Sequence, residues 1–337
     1  MPARCRRSER PTVYLDQSTL SDAFSAMDAL ADDSRAAFQP LVTWVHEAAR
    51  EANLCLSPAH ILELSGWAHS DGDAMAAWLD GLDTVWLYPV QRLLQREDER
   101  LVREIAGLDP PSRIEPFAPS FLSLFEGTWT PEQLAEALAQ PTIATAVRQT
   151  RSRPTDGRRS YMPRLHADIQ RDRERAGNDR LSDSCRRDVL KDKRRLAIRK
   201  KANDAHLRLA AADPDYAAAS ASRSNLVDGF VHRVVADPAA LPVDTVVRTL
   251  FRGFEEVTAR RQPGSKRVQR DFGGSFDDFT HAAAGAAYCD VFTCDEVTAE
   301  CLGGARERLG LSPPLFRRRG EPASCFIERL FAAWEAA

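Results

Sequence analysis

Four acidic residues stand out by their placement: Asp16, Glu63, Asp278 and Asp295. Asp16 closes the short β-like run Thr12-Val13-Tyr14-Leu15-Asp16, and Asp295 closes Asp290-Val291-Phe292-Thr293-Cys294-Asp295. Glu63 and Asp278 fall in the early turns of two helices, one behind Ser57-Pro58 and the other behind Gly273-Gly274. Carboxylates at strand C-terminal ends and at helix starts converge where open α/β sheets hold their sites. Brought together they repel one another, so they require a cation. Hard oxygen donors suit Mg²⁺ or Mn²⁺, which take one or two carboxylates and keep several waters. One or two such ions activate water and stabilise both oxygens of an in-line phosphoryl displacement. Each residue alone has a plainer explanation. Asp and Glu make up 49 of 337 residues, and an acid at a helix start often only complements the dipole.

The elements that must position these side chains alternate. Residues 12–16 read as a buried strand, and Leu20, Phe24, Met27 and Leu30 follow at helical spacing. Phe38, Leu41, Val42, Val45 and Ala49 predict a second helix, and Asn53-Leu54-Cys55-Leu56 a second strand. Ser57 reads as an N-cap with Pro58 at the first helical position, which puts Glu63 on the second turn. Thr84 to Tyr88 is a third strand, and the last strand-like segment is Asp290 to Cys294. The order strand–helix–helix–strand–helix–strand predicts an α/β fold with a parallel sheet. Asp109-Pro110-Pro111 breaks the chain, and residues 131–260 read as mostly helical with no convincing strand. The simplest organisation is an α/β core of residues 11–110 and 273–337 interrupted by a helical insertion over 111–272.

These segments resemble the three signature blocks of PIN-domain ribonucleases and their PIN-like relatives. The matching stretches are Val13-Tyr14-Leu15-Asp16-Gln17-Ser18-Thr19-Leu20-Ser21, Ser57 to Leu64, and Asp278 to Asp295. The resemblance covers roughly residues 12–110 and 274–300. It implies a three-layer PIN-like fold and a metal-dependent nuclease, with RNA as the substrate by family habit. It implies that Asp16, Glu63, Asp278 and Asp295 form the acidic quartet that holds Mg²⁺ or Mn²⁺. Thr293 matches the polar residue two before the last aspartate. Ser18 stands where the family more often has asparagine, and its hydroxyl can still orient a carboxylate or water. Asp277 replaces Asp278 if the helix phase differs by one residue. Asp290 lies at the wrong end of its strand and reads as structural.

Net charge adds a partner argument. The overall balance is −3, yet Arg148 to Lys201 holds 19 Lys/Arg against 8 Asp/Glu, or +11, which leaves −14 for the rest. Such segregation suggests a polyanionic partner, although alternating signs in this segment also suit a solvated helix with internal salt bridges. Lys193, Arg194, Arg195, Arg199 and Lys200, with Lys266 and Arg267 of the following linker, are the candidate phosphate contacts. Few aromatics accompany them, so backbone contact with structured nucleic acid is expected rather than base stacking.

Seven scattered cysteines form no Cys-x-x-Cys pair, which argues against a disulfide framework or zinc site and for a reducing, cytoplasmic setting. No apolar run approaches the roughly 18–20 residues that a membrane span needs, so no membrane partner is expected. A protein regulator or a second copy of the chain is compatible with the composition. His281, one turn beyond Asp278, can touch a phosphate or a carboxylate, or simply pack within its helix; His60 reads as packing. Trp44, Trp67, Trp78 and Trp86 read as core. Two further functions are consistent with the pattern: a non-catalytic PIN-like binding or scaffold protein, and a metal-dependent phosphatase of small phosphoesters.

Overall fold

The computed structural model describes residues 10–27, 33–109, 114–118, 121, 124, 130–132, 135, 139, 142–151, 183–221, 225–260, 275–303, 310–311 and 313–337, without the side chains of 33–34, 183–193, 238, 255–260, 275–277 and 280. Four short parallel strands form one sheet in the order β3-β2-β1-β4. The central strand β1, Thr12–Tyr14, pairs with β2, Asn53–Leu56, so that Val13 faces Leu54. On its other side it pairs with β4, Val291–Phe292, with Tyr14 opposite Phe292. The edge strand β3, Thr84–Trp86, pairs with β2. The expected α/β class with a parallel sheet is thus present, and all four strand positions read from the sequence carry strands. Strands β1, β2 and β4 are buried along their whole length, as expected for a parallel sheet covered on both faces.

Helices α1, Gln17–Ala26, α2, Asp33–Ala36, and α3, Gln39–Glu51, lie between the first two strands. Leu41, Val42, Trp44, Val45, Ala48 and Ala49 form the buried stripe of α3. Two helices, α4, Pro58–Ser65, and α5, His69–Asp80, separate β2 from β3 where the sequence suggested one. Gly66 caps α4 and lets the chain turn before α5 begins.

Helix α6, Val90–Ile105, leads away from β3. Beyond it come α7, Ile143–Arg151, α8, Asp183–Ala212, α9, Pro214–Ala221, α10, Leu226–Ala236, and α11, Pro242–Arg260. These confirm the mostly helical reading of the described part of residues 131–260. They divide between two clusters of buried apolar side chains. Ile143, Ala146 and Val147 of α7, with Val243, Val246, Leu250 and Phe254 of α11, join the principal core around the sheet. Ile198, Ala202, Ala205 and Leu209 of α8 pack with Phe230 and Val234 of α10 on Leu101 and Val102, in the second half of α6.

Helix α12, Ser275–Tyr288, returns the chain to the sheet, followed by β4, then α13, Glu296–Leu302, and α14, Ala323–Glu335. The run Ala282-Ala283-Ala284-Gly285-Ala286 gives α12 a face of small side chains. At Gly285 a Cβ would stand 2.6 Å from Phe292 and 2.9 Å from Tyr14. The helix therefore lies directly on β1 and β4, and enlarging this position would cost on the order of 1–3 kcal/mol through overpacking.

At the N-terminal edge of the sheet, Asp290 accepts hydrogen bonds from the Thr12 amide at 2.8 Å and the Thr12 hydroxyl at 2.6 Å. It clips β4 to β1 and sits at the opposite end from Asp16, in keeping with a structural role. No helix among the described residues is long and apolar enough to cross a membrane.

Candidate active site

The first turn after β1 fixes Asp16. Its backbone is extended, its side chain caps α1, and Oδ1 accepts from the Thr19 amide at 3.2 Å. The Thr293 hydroxyl, one residue beyond β4, donates to the same Oδ1 at 2.8 Å and accepts from the Asp16 amide at 2.8 Å. The Ser18 hydroxyl donates to Oδ2 at 2.6 Å. Hydroxyls and an amide hold Asp16 in one orientation. Asp295 repeats the arrangement on the neighbouring strand. It caps α13, accepting from the Thr298 amide at 2.8 Å and the Thr298 hydroxyl at 2.7 Å. An N-cap uses the extended residue that ends a strand to satisfy the first orphan amides of the next helix. Two adjacent parallel strands that each lead into a helix therefore place two carboxylates side by side.

Glu63 arrives on α4, whose start follows the predicted form: Ser57 caps it, Pro58 follows, and the Ser57 hydroxyl accepts from the Ala59 amide at 3.3 Å. Beside Glu63 is His281 of α12, only 2% exposed, with Nε2 at 3.3 Å from Glu63 Oε1 but outside hydrogen-bond alignment. The other ring nitrogen, Nδ1, bonds the Tyr14 hydroxyl, which in turn meets Ser57 Oγ at 2.8 Å. Burial pushes the Tyr14 hydroxyl well above its ordinary pKa, and nearby Glu63 and Asp16 act in the same direction. His60 completes the packing edge-on to His281, with ring centroids 4.4 Å apart. Its Nδ1 accepts from the Ser57 amide at 3.1 Å and its Nε2 donates to the Leu15 carbonyl at 2.8 Å. Burial and the neighbouring His281 hold His60 well below the ordinary histidine pKa, so it is a neutral structural ring, as the sequence suggested.

A cleft of about 240 Å³ opens at this edge of the sheet, lined by Asp16, Gln17, Ser18, Ser21, Glu63, Trp67, Asp278, His281, Cys294 and Asp295. All four carboxylates singled out in the sequence face one space. Among the described lining residues there is no lysine or arginine. Burial first, then Asp16, Asp295 and Asp278, push the Cys294 thiol well above its ordinary pKa. These surroundings favour the protonated thiol.

Among the described residues, no group of three or more His, Cys, Asp or Glu is drawn together tightly enough to hold an ion by itself. The donors are carboxylate and hydroxyl oxygens, and the cleft has room for several waters at roughly 30 Å³ each. That combination fits a hydrated hard cation held by one or two carboxylates.

The remaining expected residues are distributed as follows. Thr293 is fully buried behind Asp16 and does not line the cleft. The side chain of Asp277 lies outside the described residues, as do Lys266, Arg267 and the side chain of Lys193. Arg194, Arg195, Arg199 and Lys200 are exposed on α8, where Arg199 pairs with Asp228 at 2.6 Å. Trp67, read as core, is half-buried against the principal core and also lines the cleft. Its position four residues after Glu63, just past the end of α4, is the signal that could have placed it there. Tyr14 was likewise legible, because side chains two apart on a strand share a face and Asp16 is two residues on.

No protein-family model, curated protein or solved structure matches the chain.

Proposed function

We propose that the chain is a PIN-like, divalent-cation-dependent nuclease that hydrolyses phosphodiester bonds, with RNA as its substrate. The observation that carries this reading is the convergence of Asp16, Glu63, Asp278 and Asp295 on one cleft. Acidic side chains gathered there need a positive partner, and a phosphodiester brought to them needs its charge offset. Asp16, Glu63, Asp278 and Asp295 are the residues that would hold Mg²⁺ or Mn²⁺. When bound, such an ion supplies Lewis-acid stabilisation of the phosphoryl group and acidifies water.

The chain's own residues do the rest. Ser18, Thr19 and Thr293 lock the Asp16 carboxylate, and Thr298 locks that of Asp295, so neither has to reorganise during reaction. Trp67 offers one apolar face on which a base next to the scissile phosphate can rest. The exposed arginines and Lys200 of α8 supply phosphate contacts that do not depend on sequence.

A second reading, a PIN-like protein that binds nucleic acid without cutting it, is favoured by one observation. No group of three or more ligands is drawn tightly together among the described residues. One assay separates the two: labelled RNA and DNA incubated with the protein in Mn²⁺, in Mg²⁺ or in EDTA, beside Asp16→Asn and Asp295→Asn. The nuclease reading expects cation-dependent RNA cleavage that falls roughly 10²–10³-fold in each variant, the scale of losing one electrostatic stabiliser. Binding with no cleavage under any condition selects the second reading. Cleavage that persists in EDTA and in both variants removes the acidic cleft from the chemistry.

A further inference from the structure

We infer that His281 is a positioning residue for Glu63, its ring held as the Nε2–H tautomer by a buried relay through Tyr14 and Ser57. The relay joins elements far apart in the chain: Ser57 at the cap of α4, Tyr14 at the end of β1, and His281 on α12. Tyr14 and Ser57 are 43 residues apart in sequence, and Tyr14 and His281 are 267 apart. Relative exposures are 0% for Tyr14, 3% for Ser57 and 2% for His281, so water does not share these bonds.

The polarity of the relay is assigned from the carboxylate that faces its far end. The Ser57 hydroxyl oxygen accepts from the Ala59 amide, and in the assigned polarity its proton goes to Tyr14 Oη. The Tyr14 phenol carries one proton to give, as an ordinary tyrosine does near neutral pH. Having accepted from Ser57, it gives its own proton to His281 Nδ1. The imidazole proton is then on Nε2, where Glu63 Oε1 stands 3.3 Å away. The reverse polarity would aim the Nε2 lone pair at a carboxylate oxygen, two acceptors facing each other in a buried site.

Nε2 is buried and has no aligned partner among the described residues. A buried donor without an acceptor is costly, and the nearest acceptor is the carboxylate that lines the cleft. The relay thus prescribes which way Glu63 turns: Oε1 toward His281 and Oε2 toward the cleft. Histidine rings on ligand carboxylates and their outer hydrogen-bond partners tune a site in this way, and losing such a partner lowers cation affinity about 10–100-fold. This consequence rests on the cation reading of the cleft, whereas the polarity of the relay does not.

The experiment therefore has two arms. In protein carrying ¹⁵N-labelled histidine, two-bond ¹H–¹⁵N correlation spectra should show His281 with a protonated Nε2 and an acceptor Nδ1. Tyr14→Phe, which keeps the ring and removes the hydroxyl, should replace that single tautomer by a mixture. A protonated Nδ1 in the wild type, or an unchanged spectrum in Tyr14→Phe, overturns the inference.

In the second arm, Mn²⁺ binding is measured by calorimetry on protein whose near-ultraviolet circular dichroism matches the wild type. Affinity should fall about 10–100-fold in Tyr14→Phe and His281→Leu. His281→Gln, which returns an N–H donor near the position of Nε2, should stay within about threefold of wild type. A structural role alone would not separate Gln from Leu in this way. Wild-type Mn²⁺ affinity together with unchanged binding in Tyr14→Phe and His281→Leu refutes the positioning role and leaves the cation reading intact. If the wild type binds no Mn²⁺, the cation reading and the positioning role fail together, and the spectra still decide the polarity of the relay.

Discussion

The cleft beyond β1 and the junction where α8 meets α6 and α11 both concentrate carboxylates, and they neutralise them by opposite means. In the cleft, Asp16 and Asp295 are held by amides and hydroxyls, and Glu63 has His281 beside it. At the junction, Asp244 of α11 pairs with Lys201 of α8 and with Arg248 at 2.5 Å, and Glu99 of α6 pairs with Arg208 at 3.0 Å. Two further acids there are deeply buried. Glu97 is fully buried, accepting from the Val243 and Asp244 amides at 2.7 and 3.3 Å and from the Tyr288 hydroxyl at 2.8 Å. Burial pushes Glu97 up to about 7 and Asp98 up to about 6. The difference separates two uses of the same functional group. The junction spends its acids on joining helices through lysine and arginine, while the cleft holds Asp16 and Asp295 oriented by hydroxyls and amides.

The sharpest break of that contrast is a pH experiment on Glu97. Its pKa of about 7 in the fold exceeds its ordinary 4.5, so the folded chain takes the proton first. The stabilisation is complete below about pH 4.5 and is lost as pH rises through 7. At 1.36 kcal/mol per pKa unit this amounts to roughly 3 kcal/mol. Urea unfolding from pH 4.5 to 8 should show Glu97→Gln losing less stability than wild type across this window. Parallel profiles would mean that the Val243 and Asp244 amides and Tyr288 offset the burial entirely.

Next in size is Asp244→Asn, which leaves Lys201 and Arg248 without their shared counterion. Breaking a buried pair costs about 3–5 kcal/mol, but the two cations are 35% and 32% exposed. Solvent screening lowers the expected loss to about 2 kcal/mol, read as a shift in the urea midpoint without change in slope.

The matching change in the cleft should do far less to the fold. Asn caps a helix about as well as Asp, so Asp295→Asn should alter stability by no more than about 1 kcal/mol. Mn²⁺ should raise the melting temperature of the wild type and leave that of Asp295→Asn unmoved, because only a cation that binds the folded chain stabilises it. Equal Mn²⁺ responses in the two proteins would remove Asp295 from the cation site.

How much of this was legible in the sequence differs between the two regions for a physical reason. Asp16 and Asp295 could be read because a strand end and a helix cap are local patterns, each contained in a few residues. Parallel pairing of β1 with β4 then made them neighbours. The relay from Ser57 through Tyr14 to His281 could not be read, since it depends on how closely α12 approaches the sheet, a distance set by Gly285 against Phe292 and Tyr14. The helical character of residues 131–260 was visible from spacing. The membership of α7 and α11 in the principal core was not, because an apolar stripe such as Val243, Val246, Leu250 and Phe254 does not name its partner. Asp244 illustrates the same limit: its partners Lys201 and Arg248 are ordinary basic residues until the fold brings them to it.

The smallest effect on stability, and the finest test of the contrast, lies on α8. Lys201 is committed to Asp244 and Arg199 to Asp228, whereas Arg194, Arg195 and Lys200 are exposed. Arg194→Ala/Arg195→Ala should change folding stability by no more than about 0.5 kcal/mol, as for surface changes generally. If both arginines contact phosphates, the slope of log affinity against log salt should flatten by about 1.4 on single-stranded nucleic acid and about 1.8 on duplex DNA. The expected ratio follows from counterion density alone, so it separates phosphate contact from a loss of folded protein, which would lower affinity equally at every salt concentration. A slope unchanged within 0.3 of wild type would assign these arginines to solvation and leave the approach of substrate to other basic residues of the chain.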